Sequence, residues 1–184
     1  MALGTWFLRK KGKYLLESNV DREQIVFTVG DEIFPNERYF KNDFILTKDK
    51  SLLYKKAAGD YSVFLGDNWR FELIVDSLTG CCQKIQCFLD ELAVHCTTLD
   101  MPHAAKRALH ITNSQPLSPA GGCHYFPFDD IVYWDSQKYL LCIGNPRNPG
   151  EIVEFTNKTF AVVDNGNLKC TYLVLDGLVG QNIF

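Results

Sequence analysis

Residues 129–176 carry the most regular pattern of apolar and polar positions in the chain. Short apolar runs rich in Val, Ile, Tyr, Phe and Thr alternate there with turn sequences, and these residue types suit a pleated, half-buried surface. Asp135 opens one predicted type I turn, and Asn165-Gly166 indicates a tight hairpin because both residues tolerate positive φ. The pattern predicts an antiparallel meander of about five strands. The apolar runs are 131–134, 139–143, 152–155, 159–163 and 168–175.

The first half of the chain carries a similar but less continuous pattern. Within residues 69–76 the odd-numbered positions are all large and apolar, as a strand with one buried face requires. Residues 76–80 predict a hairpin loop in which the aspartate opens the turn and the glycine supplies positive φ. Residues 83–96 fit both a helical stripe and a strand; the preceding turn favours a strand through Leu89, followed by irregular chain or one short helix. Further strands are predicted at 13–16, 24–29, 44–47 and 61–65, one helical turn at 52–58, and either a short helix or a strand at 104–111.

These elements predict a mainly β fold in which antiparallel meanders form two packed sheets or a partly open barrel, with little helix. A length of 184 residues favours a single domain, residues 1–184. The sequence NSQPLSPAGG at 113–122 is rich in Pro, Ser and Gly, which is typical of a linker. Two sub-lobes, 1–112 and 123–184, are therefore possible.

Charge and cysteine usage limit the classes of partner. Between Met1 and Lys56, 11 basic residues accompany 8 acidic ones, whereas 8 basic residues accompany 14 acidic ones from Ala57 onward. The basic cluster at 9–13 lacks interleaved aromatic residues, so we expect no nucleic-acid partner.

The 7 cysteines include no C-x-x-C pair, which is typical of a reducing compartment. The first residues place their charges after a short apolar run, the reverse of a signal peptide, and no run reaches the about 18 apolar residues that span a bilayer. We therefore expect a cytoplasmic protein without a membrane partner.

Cysteine catalysis is one function that the sequence permits. Cys123 and His124 precede Asp129 and Asp130, a set that could supply a thiol nucleophile, a base and an orienting group. Adjacent residues of a strand point to opposite faces, so Cys123 would need a base from elsewhere. The other histidines that could act as this base are His95, His103 and His110. This alternative is a cysteine-dependent hydrolase or transferase.

Metal and phosphate sites are less well supported by the residue spacing. His95-Cys96 and Cys123-His124 supply four soft ligands, but structural zinc ligands usually lie two to four residues apart. Buried thiols beside hydrogen-bonded histidines explain these pairs better. The loop at 144–150 contains Arg147 but also two prolines, which remove backbone donors that a phosphate would need. We expect no metal, no cofactor and no small-molecule substrate.

A cluster of aromatic and acidic residues at 129–135 is more informative. Trp and Tyr provide large contact areas at protein interfaces, and carboxylates guide and select a basic partner. The alternative is that the tryptophan belongs to the core and the carboxylates cap turns. The candidate partner-binding residues are Asp129, Asp130, Tyr133, Trp134 and Asp135.

Several segments together resemble small bacterial immunity proteins, which are encoded beside contact-dependent growth-inhibition toxins and other polymorphic toxins. The segments are RFELIVDSLTG at 70–80, DDIVYWD at 129–135, LLCIGNP at 140–146 and the strand-rich stretch 151–176. The resemblance implies a cytoplasmic, non-enzymatic inhibitor that binds a cognate toxin domain and covers its active site or substrate groove. A basic ribonuclease is the expected class of toxin. A structural β adaptor module is a further alternative.

Overall fold

The computed structural model describes residues 25–33, 44–54, 61–66, 70–90, 92–112 and 123–184. The predicted strand at 13–16, the basic cluster at 9–13 and the linker at 113–122 lie outside these residues. Fourteen strands and one short 3-10 turn, Asp176–Leu178, make up the regular structure of the described part. This confirms the predicted mainly β fold with little helix.

The strands form two six-stranded sheets and one two-stranded ribbon. In chain order they are β1 Val26–Ile33, β2 Phe44–Leu46, β3 Ser51–Tyr54, β4 Tyr61–Leu65, β5 Phe71–Val75, β6 Cys82–Phe88, β7 Val94–Cys96, β8 Arg107–Thr112, β9 Cys123–Phe126, β10 Val132–Asp135, β11 Leu140–Gly144, β12 Glu151–Thr156, β13 Thr159–Asp164 and β14 Asn167–Val174. The first sheet has the order β2-β3-β6-β5-β4-β9, and the second has the order β12-β13-β14-β11-β10-β7. The ribbon is β1-β8. Within the described residues, neither sheet closes on itself, and the ribbon does not either. The same residues contain no helix with the length and apolar character of a membrane-spanning segment.

Three segments of the first half whose structure the sequence left open, or predicted as helical, form strands. Residues 52–54 belong to β3, so the helical turn predicted at 52–58 is wrong over these residues, and its remainder lies outside the described part. The strand through the start of 83–96 is confirmed as β6, but the expected irregular or helical remainder contains β7. Residues 107–112 form β8, which resolves the choice at 104–111 in favour of a strand. In each case, pairing with a distant strand decides the conformation that local periodicity leaves ambiguous.

The second half is not the continuous meander that the sequence predicts. β10 and β11 form a hairpin, and β12, β13 and β14 form a meander, but β11 pairs with β14 and not with β12. The connection from β11 to β12 contains Pro146 and Pro149, which cannot donate hydrogen bonds to a ladder. It carries the chain to the far edge of the sheet, which gives a Greek-key arrangement of β11–β14.

Two parallel pairings join the parts of the chain before and after 113–122. β9 lies beside β4 in the first sheet, with Ser62 opposite Cys123. β7 lies beside β10 in the second sheet, with Val94 opposite Val132. Each half of the chain therefore contributes an edge strand to the sheet that the other half mainly builds.

The two sheets and the ribbon pack on one hydrophobic core. Leu73 and Ile85 of the first sheet, Leu141 and Leu173 of the second and Phe27 of the ribbon belong to the same buried cluster. The face that each sheet turns toward this core is called its inner face, and the opposite face is its outer face. At 69–76 the predicted set of inward-facing residues is confirmed for the described part, because Phe71, Leu73 and Val75 all enter this core. The expectation of only one buried face is wrong, since Glu72 and Ile74 on the opposite face of β5 are buried as well.

The predicted turn chemistry at two hairpins is confirmed. Asp76 Oδ1 accepts hydrogen bonds from the backbone N–H groups of Leu78 and Thr79 at 3.0 and 2.9 Å. Gly80 has φ +70°, and a Cβ there would lie 2.4 Å from the carbonyl oxygen of Ile111. Because only glycine fits both the conformation and this close approach, the β5–β6 hairpin can dock on β8. At the β13–β14 turn, Asn165 and Gly166 have the expected positive φ values of 49° and 77°.

The outer face of the first sheet contains a buried pair of opposite charges. The side chains of Glu72 and Lys84 are 2% and 7% exposed. Ser62 Oγ donates a hydrogen bond of 2.5 Å to Glu72 Oε1, while Oε2 has no hydrogen-bond partner among the described residues. Burial raises the pKa of Glu72, although the Ser62 hydrogen bond and the charge of Lys84 partly oppose this rise. Burial likewise lowers the pKa of Lys84.

Replacing Lys84 by methionine is expected to make stability more dependent on pH. Without the ammonium group, the pKa of Glu72 in the folded protein rises further. A carboxyl with a raised folded-state pKa destabilises the folded state increasingly as the pH rises above the unfolded-state pKa. We expect a loss of about 1–3 kcal/mol at pH 8 and the smallest loss near pH 4, measured by urea unfolding at both pH values. Adding Glu72→Gln should remove this pH dependence. An equal loss for Lys84→Met at both pH values would contradict the coupling.

Candidate partner-binding surface and adjoining pocket

Residues 97–105, called the strap, cross the outer face of the second sheet. At one end, Thr97 N donates a hydrogen bond of 3.0 Å to the carbonyl oxygen of Trp134 on β10. At the other end, Glu154 N of β12 donates to the carbonyl oxygen of Ala105 at 3.1 Å. The strap therefore reaches from β10 to the opposite edge strand, β12.

A second, smaller hydrophobic cluster lies on this outer face. Leu99 of the strap is 4% exposed and belongs to the cluster, with Met101 packed against it. The members from the sheet are Leu140, Cys142, Phe160, Val162, Cys170 and Tyr172. Because both faces of the second sheet are covered in its central strands, β11 is buried along its whole length.

Asp135, one of the predicted site residues, closes the β10–β11 turn. Its Oδ1 accepts from the backbone N–H groups of Gln137 and Lys138 at 3.0 and 3.1 Å. Its Oδ2 accepts from Leu99 N at 3.0 Å and lies 3.6 Å from Lys138 Nζ, which also donates to the Leu99 carbonyl oxygen. The hydrogen bond from Leu99 contributes most to lowering the pKa of Asp135. This carboxylate therefore holds the turn and the strap together, and with a 4% exposed side chain it has no surface for a partner.

Trp134 also lies away from the surface. It is 9% exposed and belongs to the core between the sheets. Its ring makes edge contacts with those of Tyr139 and Phe184, with centroid distances of 5.8 and 5.5 Å. The alternative considered for the 129–135 cluster, a core tryptophan and a turn-capping carboxylate, therefore describes Trp134 and Asp135 better than partner contact does. Successive side chains of a strand point to opposite faces of the sheet, so on β10 Trp134 faces inward while its neighbour Tyr133 faces outward.

The other three predicted residues keep surface that a partner could contact. Asp129 is exposed, and its Oδ1 accepts a hydrogen bond from Ile131 N at 3.4 Å. Asp130 is half-buried beside Gly66 at the end of β4. Tyr133 is half-buried, and its ring centroid is 5.5 Å from that of His95 on β7. Their partner-binding role stays a prediction.

A pocket of about 430 Å³ opens between the strap and the β11–β12 connection. Tyr133 and Tyr172 contribute aromatic rings to it, and the connection contributes Asn145, Pro146 and Arg147. The strap contributes Thr97, Thr98, Leu99 and Asp100. The sequence singled out Tyr133 and the loop of Arg147 separately, but gave no signal that the strap joins them.

Four of the buried thiols do not favour a nucleophile, whereas a hydrogen bond with Cys142 lowers the pKa of Cys170, which is itself fully buried. Burial raises the pKa of Cys81 to about 11 and also raises those of Cys82 and Cys87. A hydrogen bond with Cys170, together with burial, raises the pKa of Cys142. A thiol with a raised pKa forms little thiolate near neutral pH and reacts slowly. Cys96 is exposed, and the side chain of Cys123 lies outside what the structure describes.

The residues considered for zinc do not form one group on a single sheet. His95 and Cys96 lie on β7 of the second sheet, whereas Cys123 and His124 lie on β9 of the first. In the part of the chain that the structure describes, no three His, Cys, Asp or Glu residues are grouped so that they could hold a metal ion.

No protein-family model matches the sequence, and no curated protein matches it either. The likeness to immunity proteins therefore rests on the sequence patterns alone.

Proposed function

We propose that this protein is an immunity protein that binds and neutralises a cognate toxin domain. Its binding surface comprises Tyr133 on the outer face of the second sheet, Asp100 on the adjoining strap, and Asp129 and Asp130 in the segment just before β10. The toxin is expected to be a basic ribonuclease whose active site or substrate groove this surface covers. The proposal combines the sequence resemblance with the charge distribution on this side of the molecule.

The observation that carries the proposal is the imbalance of charge that remains after internal pairing. Three of the basic side chains in the second half contact acidic ones, in the pairs Lys138–Asp135, Lys158–Asp176 and Lys169–Asp164. Asp100 and Asp129 are exposed, and neither forms an ion pair with another described residue. Exposed carboxylates without an ion pair increase the association rate of a basic partner and disfavour the binding of an acidic one.

Tyr133 suits the centre of such a surface. Its ring lies against His95 and lines the pocket, so the sheet below fixes its position while part of the side chain stays accessible. A tyrosine held in this way offers contact area with little loss of side-chain entropy on binding. The acidic residues of this surface would then guide the approach of the partner, and Tyr133 would contribute to the lifetime of the complex.

Reversing the two exposed acids is expected to slow binding to the toxin domain encoded by the adjacent upstream gene. For the double variant Asp100→Lys/Asp129→Lys we expect the association rate constant to fall about tenfold or more at low salt, with a smaller difference at high salt. Surface plasmon resonance measures both rates. Asp90→Lys is the matched control, since Asp90 is an exposed acid after β6 of the first sheet.

Three results would contradict the proposal. The first is the absence of a toxin domain in the neighbouring gene, and the second is the absence of binding between the two products at about micromolar concentration. The third is a loss for Asp90→Lys that equals, per reversed charge, the loss for the double variant, because a general charge effect would then explain the change. Co-expression with the active toxin adds a direct readout, since a neutralising protein restores growth.

A further inference from the structure

The pocket beside Tyr133 is lined by two residues of opposite charge that form no ion pair with each other. Asp100 lies on the strap and Arg147 lies on the β11–β12 connection, and both line the pocket. Both residues are exposed, and neither forms an ion pair with the other or with another described residue. The pocket therefore has a negative group on one side and a positive group on another.

We propose that this pocket binds a small zwitterion, a free α-amino acid or a dipeptide. The ligand ammonium group pairs with the carboxylate of Asp100, and the ligand carboxylate pairs with the guanidinium of Arg147, which can bind it through two parallel hydrogen bonds. An ion of a single sign would meet one attractive and one repulsive group, whereas a dipolar ligand satisfies both. This binding activity goes beyond the proposed inhibition of a toxin and does not depend on it.

The size and lining of the pocket fit this class of ligand. Its volume of about 430 Å³ lies toward the lower end of the range for small-molecule sites. Tyr133, Tyr172 and Leu99 supply aromatic and apolar surface against which an amino-acid side chain can pack. Thr97 and Thr98 add hydroxyl groups that can donate or accept hydrogen bonds. A large apolar side chain such as phenylalanine should therefore bind better than glycine.

Hydrogen bonds hold the side of the pocket that contains Arg147. Arg147 N donates to Asn145 Oδ1 at 3.0 Å, and Asn148 N donates to the Asn145 carbonyl oxygen at 3.2 Å. Tyr172 Oη donates to the Pro146 carbonyl oxygen at 3.3 Å, which ties the loop to β14. On the other side, Asp135 fixes the strap through the N–H of Leu99. A ligand thus meets a site that is largely formed before binding, which reduces the entropy lost on association.

Calorimetric titration of the purified chain with four probes tests the proposal. The probes are phenylalanine, N-acetyl-phenylalanine, phenylalaninamide and the dipeptide Gly-Phe. We expect phenylalanine or Gly-Phe to bind with a dissociation constant below about 1 mM, and each capped form to bind about tenfold or more weakly because it lacks one charge. Comparing the first and last probes distinguishes a free amino acid from a dipeptide.

Two charge-removing variants assign each end of the ligand. In Asp100→Asn the preference for phenylalanine over N-acetyl-phenylalanine should disappear, whereas in Arg147→Gln the preference over phenylalaninamide should disappear. Both residues are exposed, so we expect both variants to fold, and their thermal unfolding is measured alongside. Asp90→Asn, which lies outside the pocket, should bind all probes as the unmodified chain does.

Several outcomes would overturn the inference. One is the absence of binding by any probe at about 10 mM, well above the expected dissociation constant. Another is that capped and uncapped probes bind equally well. The last is that both variants retain the full discrimination between probes, because the charges of Asp100 and Arg147 would then not be responsible for it. The toxin domain is not needed for any of these measurements, so this result is independent of the proposed inhibitory function.

Discussion

Replacing Trp134 by alanine is expected to lower the free energy of unfolding by about 3–5 kcal/mol, the range found when large aromatic side chains are removed from a core. The indole lies between the sheets and contacts the rings of Tyr139 and Phe184, so the change leaves a cavity and removes two aromatic contacts. Urea unfolding followed by far-ultraviolet circular dichroism measures the loss without depending on tryptophan fluorescence.

Leu78→Ala is a suitable control for this measurement. Leu78 is 94% exposed at the tip of the β5–β6 hairpin, and we expect its replacement to change stability by less than about 0.5 kcal/mol. If Trp134→Ala lost less than about 1 kcal/mol, comparable to a surface substitution, its assignment to the core would be refuted. That result would restore Trp134 as a candidate contact for a partner.

Replacing Asp135 by alanine is expected to cost about 2–4 kcal/mol at pH 7. The substitution leaves the backbone N–H groups of Leu99, Gln137 and Lys138 without their acceptor. It also removes the link between the strap and the β10–β11 turn. The expected effect on folding is therefore larger than for an exposed aspartate such as Asp100, whose replacement by alanine serves as the control.

The cost of Asp135→Ala should depend on pH in a defined direction. The pKa of Asp135 is lowered in the folded protein from its ordinary value of 3.8. A lowered carboxyl pKa adds stability that is fully present above the unfolded value and is lost as the pH falls through the folded value. The difference between the unmodified chain and the variant should therefore shrink below about pH 3.8 and continue to shrink until the folded-state carboxyl is protonated. A difference that stays constant from pH 7 to pH 2.5 would show that the charge of Asp135 contributes little.

The parts of the fold that the sequence predicts correctly are those fixed by local chemistry. The β13–β14 turn follows from Asn165-Gly166, and the β5–β6 turn follows from Asp76 and Gly80, because few other residues adopt the required backbone conformations. The alternation around Leu73 identifies a strand with its correct inner face. These features depend on neighbours within a few residues.

The sequence could not determine which residues of the 129–135 cluster are accessible. Alternation places Tyr133 and Trp134 on opposite faces of β10, but it does not say which face is the core. Both faces of the second sheet carry apolar residues, because the strap covers the outer one. The position of the strap depends on contacts such as that between Asp135 and Leu99, 36 residues apart, which no local pattern records.

The pocket was unpredictable for the same reason. Its two charged residues, Asp100 and Arg147, come from segments that meet only in the folded chain. The sequence drew attention to the loop that contains Arg147 only as a candidate phosphate site, which its two prolines disfavour. Neither residue type nor spacing indicated that Asp100 would lie near this loop.

The two parallel pairings, between β4 and β9 and between β7 and β10, also determine how long strand edges stay unpaired while the protein is being synthesised. Strand β4 must wait for β9, from Ser62 to Cys123, before that edge of its sheet is covered. The chain loses entropy when it closes such a long loop, before the contacts between the two strands stabilise it. Folding should therefore be slow for a chain of this size. Until β9 has been synthesised, a nascent chain exposes an unpaired strand edge, which favours aggregation and makes this interval the one in which chaperones would matter most.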